Sequence, residues 1–266
     1  MTATEPAASY VRVVDSVLEI AISTSDNGSS MDFGGINAGS AALRDLDPSV
    51  GAILLVGTGA NFCSGGNVRA FAAAPDRGEY IRGLAADLHV FVRLLEAAPV
   101  PVVAAVHGWA AGAGMSLVCA ADIAIGGPAT RLRPAYPGIG LSPDGGMSWT
   151  LPRIVGPGRA AEIILTDAVL TGDDAVRLGI LGRLVGDDVI GEEALRVART
   201  LAAGPRSSYT SIKELLAASP TSTLSDQLDR EEASIAAAAN GPTGIEGVNA
   251  FVEKRRPNFN GVDAQS

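Results

Sequence analysis

Three glycine-rich segments hold the residues whose types and spacing could do chemistry. Two are turns, Phe62-Cys63-Ser64-Gly65-Gly66-Asn67-Val68 and His107-Gly108-Trp109-Ala110-Ala111-Gly112-Ala113-Gly114. Each follows an apolar, strand-like run and leads toward a helix. Backbone N–H groups are left unpaired where a helix begins. Brought side by side, two such turns could aim two N–H donors at one carbonyl oxygen, which is an oxyanion hole. Taken singly, each fits close packing equally well. Neither is a nucleotide fingerprint, because Gly112-Ala113-Gly114 runs on into Met115-Ser116-Leu117. The third segment, Gly140-Leu141-Ser142-Pro143-Asp144-Gly145-Gly146, carries a Pro-Asp-Gly turn signal with Trp149 and Leu151 close behind. Asp144 therefore lies near the start of an apolar helix. There it is a solvated turn residue, a cap, or, facing an apolar pocket, a general base.

The elements that must position these turns are legible around them. Val11 to Ser23 reads as a strand or strand pair broken at Asp15-Ser16, and Ser25 to Gly35 as a loop. Gly51 to Gly57 is a buried strand, followed by the turn from Asn61 to Val68. Ile81, Leu84, Leu88, Phe91, Val92 and Leu95 fall at helical spacing, predicting a long amphipathic helix over Asp76 to Glu96 that Pro99 ends. A strand over Val100 to Val106, a helix over Gly112 to Ala121 and a short strand over Ile123 to Ile125 come next. Leu151 to Leu184 reads as helical pieces joined by glycines. Strand, turn and helix in alternation is α/β grammar with crossover units. Glycines thin out from about Pro205, where Leu224, Leu228 and Ile235 fit one helix and Ile245 to Lys254 another. The expected division is a core over 1–204 and a helical region over 205–266.

Composition bounds the class. The 266 residues are 47% hydrophobic, enough for one large core, and the 32 glycines follow no fixed period. A net charge of −9 argues against nucleic acid as partner, since phosphate binding needs a basic face. Cys63 and Cys119 cannot build a disulfide framework and read as packing residues of a cytoplasmic protein. Met1 to Tyr10 shows no leader pattern. Ala97 to Ala121 lacks charge and is long enough to span a bilayer, but its prolines and glycines cut it into strand, turn and helix, so no membrane role is expected. No His, Cys and Asp cluster has metal spacing.

Taken in order, these segments resemble the crotonase, or enoyl-CoA hydratase/isomerase, superfamily from about Val11 to Gly261. The resemblance rests on the FCSGGNV turn, on PVPVVAAVHGWAAGAGMSLVCAAD from Val100 to Asp122, and on GLSPDGG with its LPRIVG tail. An ILT…A…LG stretch over Ile164 to Gly179 and FVEKRRPNFNG at the end complete it. The resemblance implies an α/β spiral of ββα units and a C-terminal helical region that supports a homotrimer or a dimer of trimers. It implies an acyl-CoA thioester as ligand, with coenzyme A part of the substrate and no prosthetic group. It places the oxyanion hole on the backbone N–H groups of Gly66 and Ala113, the latter standing where a glycine is common. Ser64, Gly65, Gly66, Asn67, Val68 and Arg69 would run beside the CoA moiety, with Gly112 and Tyr136 also at the substrate. Lys213, Lys254 and Arg255 are candidates for CoA phosphate contacts, or ordinary surface charges.

The departures narrow the chemistry. Hydratases of this family use two glutamates, and their positions here carry Ser116 and Tyr136, which cannot replace a carboxylate pair in deprotonating water. Tyr136 reads as a pocket-wall aromatic and Ser116 as a residue that caps or packs in its helix. Asp144 sits where several relatives place a single working acid, and its segment is similar to that of PaaG-type isomerases. The expectation is an enoyl-CoA isomerase with Asp144 as acid/base. The alternatives are thioester hydrolysis, aryl dehalogenation, or acyl-CoA binding without catalysis. His107 reads as structural, His89 as solvent-facing, and Trp149 as a pocket or core residue.

Overall fold

The computed structural model of the protein describes residues 10–260 and 262. Residues 1–9 of the polar N-terminal stretch, and Gly261 of the terminal motif, lie outside them. Strands β1 (Val11–Val14) and β2 (Val17–Ser23) form an antiparallel hairpin. Its turn is Asp15-Ser16, both left-handed at φ 52° and 61°, the geometry that matches hairpin twist. Helix α1 (Phe33–Arg44) begins inside the stretch expected to be loop, with Asp32 accepting the Gly34 N–H at 3.0 Å. Gly35, at the end of that stretch, is a packing surface, as is Gly39 farther along the helix. A Cβ on Gly35 would run into the Ala21 carbonyl, and one on Gly39 would sit 2.8 Å from both Ile20 and Phe91.

β3 (Ala52–Gly57) leads through the first glycine turn to α2 (Val68–Ala73) and the long α3 (Arg77–Glu96), capped by Asp76. β4 (Val102–Val106), β5 (Trp109–Ala111) and α4 (Ala113–Ala120) follow, so the second turn contains a short strand that its composition hid. Next come β6 (Ile123–Gly126), β7 (Arg131–Arg133), α5 (Met147–Val155) and α6 (Pro157–Leu165). The stretch expected to be purely helical also holds β8 (Leu170–Thr171), α7 (Gly172–Arg177) and β9 (Arg183–Leu184). Helices α8 (Ile190–Ala202), α9 (Arg206–Ala218), α10 (Leu224–Asn240) and α11 (Pro242–Val252) complete the chain.

The large sheet runs β1-β2-β3-β4-β6-β9, parallel from β2 onward, and a small one runs β5-β7-β8. β4 and β6 are each followed by a strand of the small sheet, and after β3 Cys63 bridges Ala110 there in parallel. Each coil thus visits the large sheet, the small sheet and a helix, which is the ββα spiral. β3 and β4 are covered on both faces. Ile53, Leu55, Val102 and Ala104 join the main core with Phe91, whereas Ala52, Leu54, Val103 and Ala105 pack against Ala194 and Ala198 of α8. A strand covered on both faces has no polar side, hence the unbroken apolar runs.

The uncharged stretch Ala97 to Ala121 becomes β4, β5 and α4, and no helix among the described residues is long and apolar enough to cross a membrane. Burial pushes both cysteine thiols up to about 12, so they remain neutral packing groups. Helices α9 to α11 pack on one another and leave Leu216, Ile235, Val248 and Phe251 exposed.

Candidate active site

Hydrogen bonds between successive coils join the two glycine turns. The Ala111 N–H donates to the Cys63 carbonyl at 2.9 Å, and the Cys63 N–H to the Trp109 carbonyl at 3.1 Å. Glycine is required on both sides of this seam. Gly65 and Gly112 are left-handed at φ 94° and 53°, and the place of a Gly112 Cβ lies 3.7 Å from the Gly65 Cα. A Cβ on Gly114 would run into the Cys63 carbonyl. The Gly66 and Ala113 N–H groups have no hydrogen-bond partner among the described residues. Both residues line one cavity of about 450 Å³. Ala113 is the first residue of α4, so its N–H is one of the unpaired donors at the positive end of that helix. The alanine takes a helical conformation there without needing glycine's freedom.

Asp144 faces the same cavity. Its Oδ1 accepts the Tyr136 hydroxyl at 2.6 Å. Ser116, fully buried, donates from Oγ to the Asp144 carbonyl at 2.9 Å and lies 3.2 Å from the Tyr136 hydroxyl. Gly145 and Gly146 are left-handed, and the Gly145 N–H donates to Nε2 of His89 at 3.2 Å. A neutral His89 that accepts at Nε2 carries its proton on Nδ1. Asp144 does not cap α5, whose capping residue is Gly146 with no side-chain bond. Burial, and then the neighbouring Asp144 carboxylate, hold the Tyr136 phenol above its ordinary value, so at neutral pH it is a donor.

Two expectations are corrected here. His89 is not a solvent-facing side chain: it fixes the turn that presents Asp144. Ser116 does more than pack, because its hydroxyl ties α4 to that turn. Tyr136 lines the cavity wall as expected, with its hydroxyl engaged as well. Trp149 is half exposed, not core; it lines a second cavity beside Asp144, with the Arg153 guanidinium 3.7 Å over its ring. His107 is structural, bonded to the Gly59 carbonyl.

The rest of the cavity wall is mainly apolar, from Phe71, Ile81, Leu84, Leu88, Ile139 and Leu141. Ser64 and Val68 line it too, while Asn67 caps α2 by accepting the Ala70 N–H at 3.2 Å. Arg69 and Lys254 are exposed, Lys254 in a left-handed conformation, and neither lines the cavity. Lys213 also lies off that wall: Nζ bonds Asp122 at 2.6 Å and the Val100 carbonyl at 3.2 Å, joining α9 to the start of β4. Arg255 is taken up by Glu246 and Glu253.

The enoyl-CoA hydratase/isomerase family matches residues 18–262. The chain belongs to that family. As an enoyl-CoA hydratase/isomerase family enzyme, it is 36% identical over 222 residues to the 1,2-epoxyphenylacetyl-CoA isomerase of Escherichia coli K12, covering 82% of this chain and 84% of the relative. It is 30% identical over 212 residues to 4-chlorobenzoyl coenzyme A dehalogenase-1 of an Arthrobacter species, covering 79% and 77%. The crystal structure of an enoyl-CoA hydratase from Polaromonas sp. JS666 superposes with a TM-score of 0.88 at 30% identity, over 93% of this chain and 98% of that one. The family scaffold thus carries relatives named for isomerisation, dehalogenation and hydration.

Replacing Tyr136 by Phe keeps the wall of the cavity and deletes one hydrogen bond to a carboxylate, worth about 1.5–3 kcal/mol. The expected result is a roughly 10- to 100-fold fall in kcat with KM for the acyl-CoA nearly unchanged. Steady-state kinetics of the variant beside wild type would check it, and a change confined to KM would contradict the Tyr136–Asp144 bond as a contributor to turnover.

Proposed function

We propose that this family member is an enoyl-CoA isomerase that moves a double bond along an acyl-CoA. The observation that carries the reading is Asp144, the carboxylate of the cavity that no cation among the described residues pairs, Asp167 being held by Arg133, in a cavity shared with the unpaired Gly66 and Ala113 N–H groups. The family resemblance puts Ser116 and Tyr136 at the positions of the hydratase glutamates. Water therefore has no carboxylate pair to hold and deprotonate it, whereas isomerisation needs one group that takes a proton and returns it. Asp144 would remove a proton from the α carbon of a 3-enoyl thioester. The C–H electron pair moves into the conjugated system, and the Gly66 and Ala113 N–H groups hold the negative thioester oxygen of the dienolate. Protonation at the γ carbon by the same carboxyl group gives the 2-enoyl product. The reading needs no prosthetic group, coenzyme A being part of the substrate. Lys213 and Lys254 remain candidates for its phosphates.

The testing experiment is NMR of a 3-enoyl-CoA panel in D2O. Deuterium at the α and γ carbons together with double-bond migration is expected. Tight binding with no exchange on any substrate would replace the isomerase with an acyl-CoA-binding protein. Release of free CoA or of chloride from suitable esters would replace it with a thioesterase or a dehalogenase.

The exposed apolar side chains of α9 to α11 support self-association as a homotrimer or a dimer of trimers. Light scattering on the eluting protein should give three or six times 26.9 kDa, and a monomer would refute the assembly.

A further inference from the structure

Arg133 and Asp167 stand on the wall of the acyl cavity, and the chemistry above uses neither. Arg133 ends β7 opposite Ala111, and its carbonyl accepts the Gly112 N–H at 3.0 Å, so strand register sets it beside the oxyanion turn. Asp167 lies between α6 and β8 with φ 52°, a conformation non-glycine residues rarely adopt. Its Oδ2 takes Nε of Arg133 at 3.1 Å and Nη2 at 2.5 Å. Its Oδ1 takes the N–H of Ala135 at 2.7 Å, and Ala135 is itself left-handed at φ 59°. Two left-handed residues thus meet around one carboxylate whose partner is the only cation among the described residues lining this cavity. Nη1 of Arg133 has no partner among the described residues, and the side chain keeps 43% of its surface exposed. Although Asp167 keeps only 13% of its side chain exposed, the guanidinium is nearly half exposed, and solvent screening limits what the pair adds to stability. Its place in an otherwise mainly apolar wall points to recognition.

We infer that the Arg133–Asp167 pair is a recognition site for a neutral oxygen, a hydroxyl or carbonyl, on the acyl chain of the substrate. The inference rests on the acyl-CoA reading and adds a substrate class: oxygenated acyl esters over plain hydrocarbon ones. Asp167 holds the guanidinium rigid and leaves Nη1 to donate. A neutral oxygen is favoured over a carboxylate because Asp167 cancels the arginine charge, and Asp144 faces the same cavity, so a second anion would meet net repulsion.

The test measures affinities, by titration calorimetry, of saturated esters that bind without turnover. The panel is hexanoyl-CoA, its 4-, 5- and 6-hydroxy derivatives, and adipoyl-CoA. Wild type should bind one hydroxy ester about tenfold more tightly than hexanoyl-CoA, the gain from one hydrogen bond to a charged group. Arg133→Met should bring that ratio to within about twofold, and Arg133→Lys should restore part of it. Asp167→Asn, an independent variant should the first fold poorly, removes the cancelling charge and should turn the preference toward adipoyl-CoA. A wild type without preference, a preference that survives Arg133→Met, or adipoyl-CoA as the tightest wild-type ligand would overturn the recognition site alone. Failure of every ester to bind would overturn the acyl-CoA reading with it, whereas failure to exchange protons would leave these binding ratios standing.

Discussion

Asp144→Asn enzyme should lose α-proton exchange by roughly 10²- to 10⁴-fold, the usual contribution of a positioned general base, while still binding acyl-CoA. The substitution is a fair one because the bonds that hold the turn do not involve the carboxylate. Ser116 donates to the main-chain carbonyl of residue 144, and His89 accepts from the main-chain N–H of Gly145. The asparagine Oδ1 can still accept the Tyr136 hydroxyl. Only the ability to take a proton is removed. Deuterium uptake by NMR, set beside the affinity for a saturated acyl-CoA, separates the two roles. Exchange within tenfold of wild type would place the base elsewhere. Tyr136 and Ser116, the nearest hydroxyls, are poor replacements, the phenol being held protonated by burial and by Asp144.

Ala113→Pro should cost about 10²- to 10³-fold in kcat, the loss expected when one oxyanion donor is deleted. Main-chain donors resist ordinary mutagenesis, but Ala113 is the first residue of α4, the one helical position where proline fits and the missing N–H breaks no helix bond. Gly66 offers no such test, because any Cβ there would strike the Phe71 ring. Stopped-flow or steady-state kinetics should show kcat falling with the affinity for acyl-CoA largely retained, and an unchanged melting temperature would confirm an intact fold. An undiminished kcat would remove the Ala113 N–H from the reaction.

What could be read from the chain alone follows from how local each signal is. β3 and β4 were legible because both of their faces are buried, which writes an uninterrupted apolar run. The two glycine turns and Asp144 were legible because turn chemistry is compressed into a few adjacent residues. The start of α1 was not, since Gly35 looks like part of the preceding loop while serving a close contact to Ala21. β5 was hidden for the same reason among its small residues. His89 looked like a solvent residue on the polar side of α3, and nothing in its neighbourhood announces the turn that arrives from Gly145. Arg133 and Asp167, 34 residues apart, are joined only by strand register and by two left-handed residues, of which Ala135 gives no sign of that conformation in its type.

The seam between Cys63 and Ala110 also bears on how such a scaffold diversifies. Adjacent strands lie about 4.8 Å apart, so donors at the ends of neighbouring coils are spaced to bracket a single oxygen atom, whatever the loops around them do. On the proposed reading, the electrophile-activating half of the site is a property of the winding itself, and no single loop exchange can redesign it. The acid is different, since one short turn pinned by the side chains of Ser116 and His89 presents it. Mutation can then replace the proton-handling group, or move it, without disturbing the part that makes thioesters acidic. If the two N–H groups act as proposed, a lineage built on this winding inherits carbanion stabilisation and improvises only what is done with the carbanion.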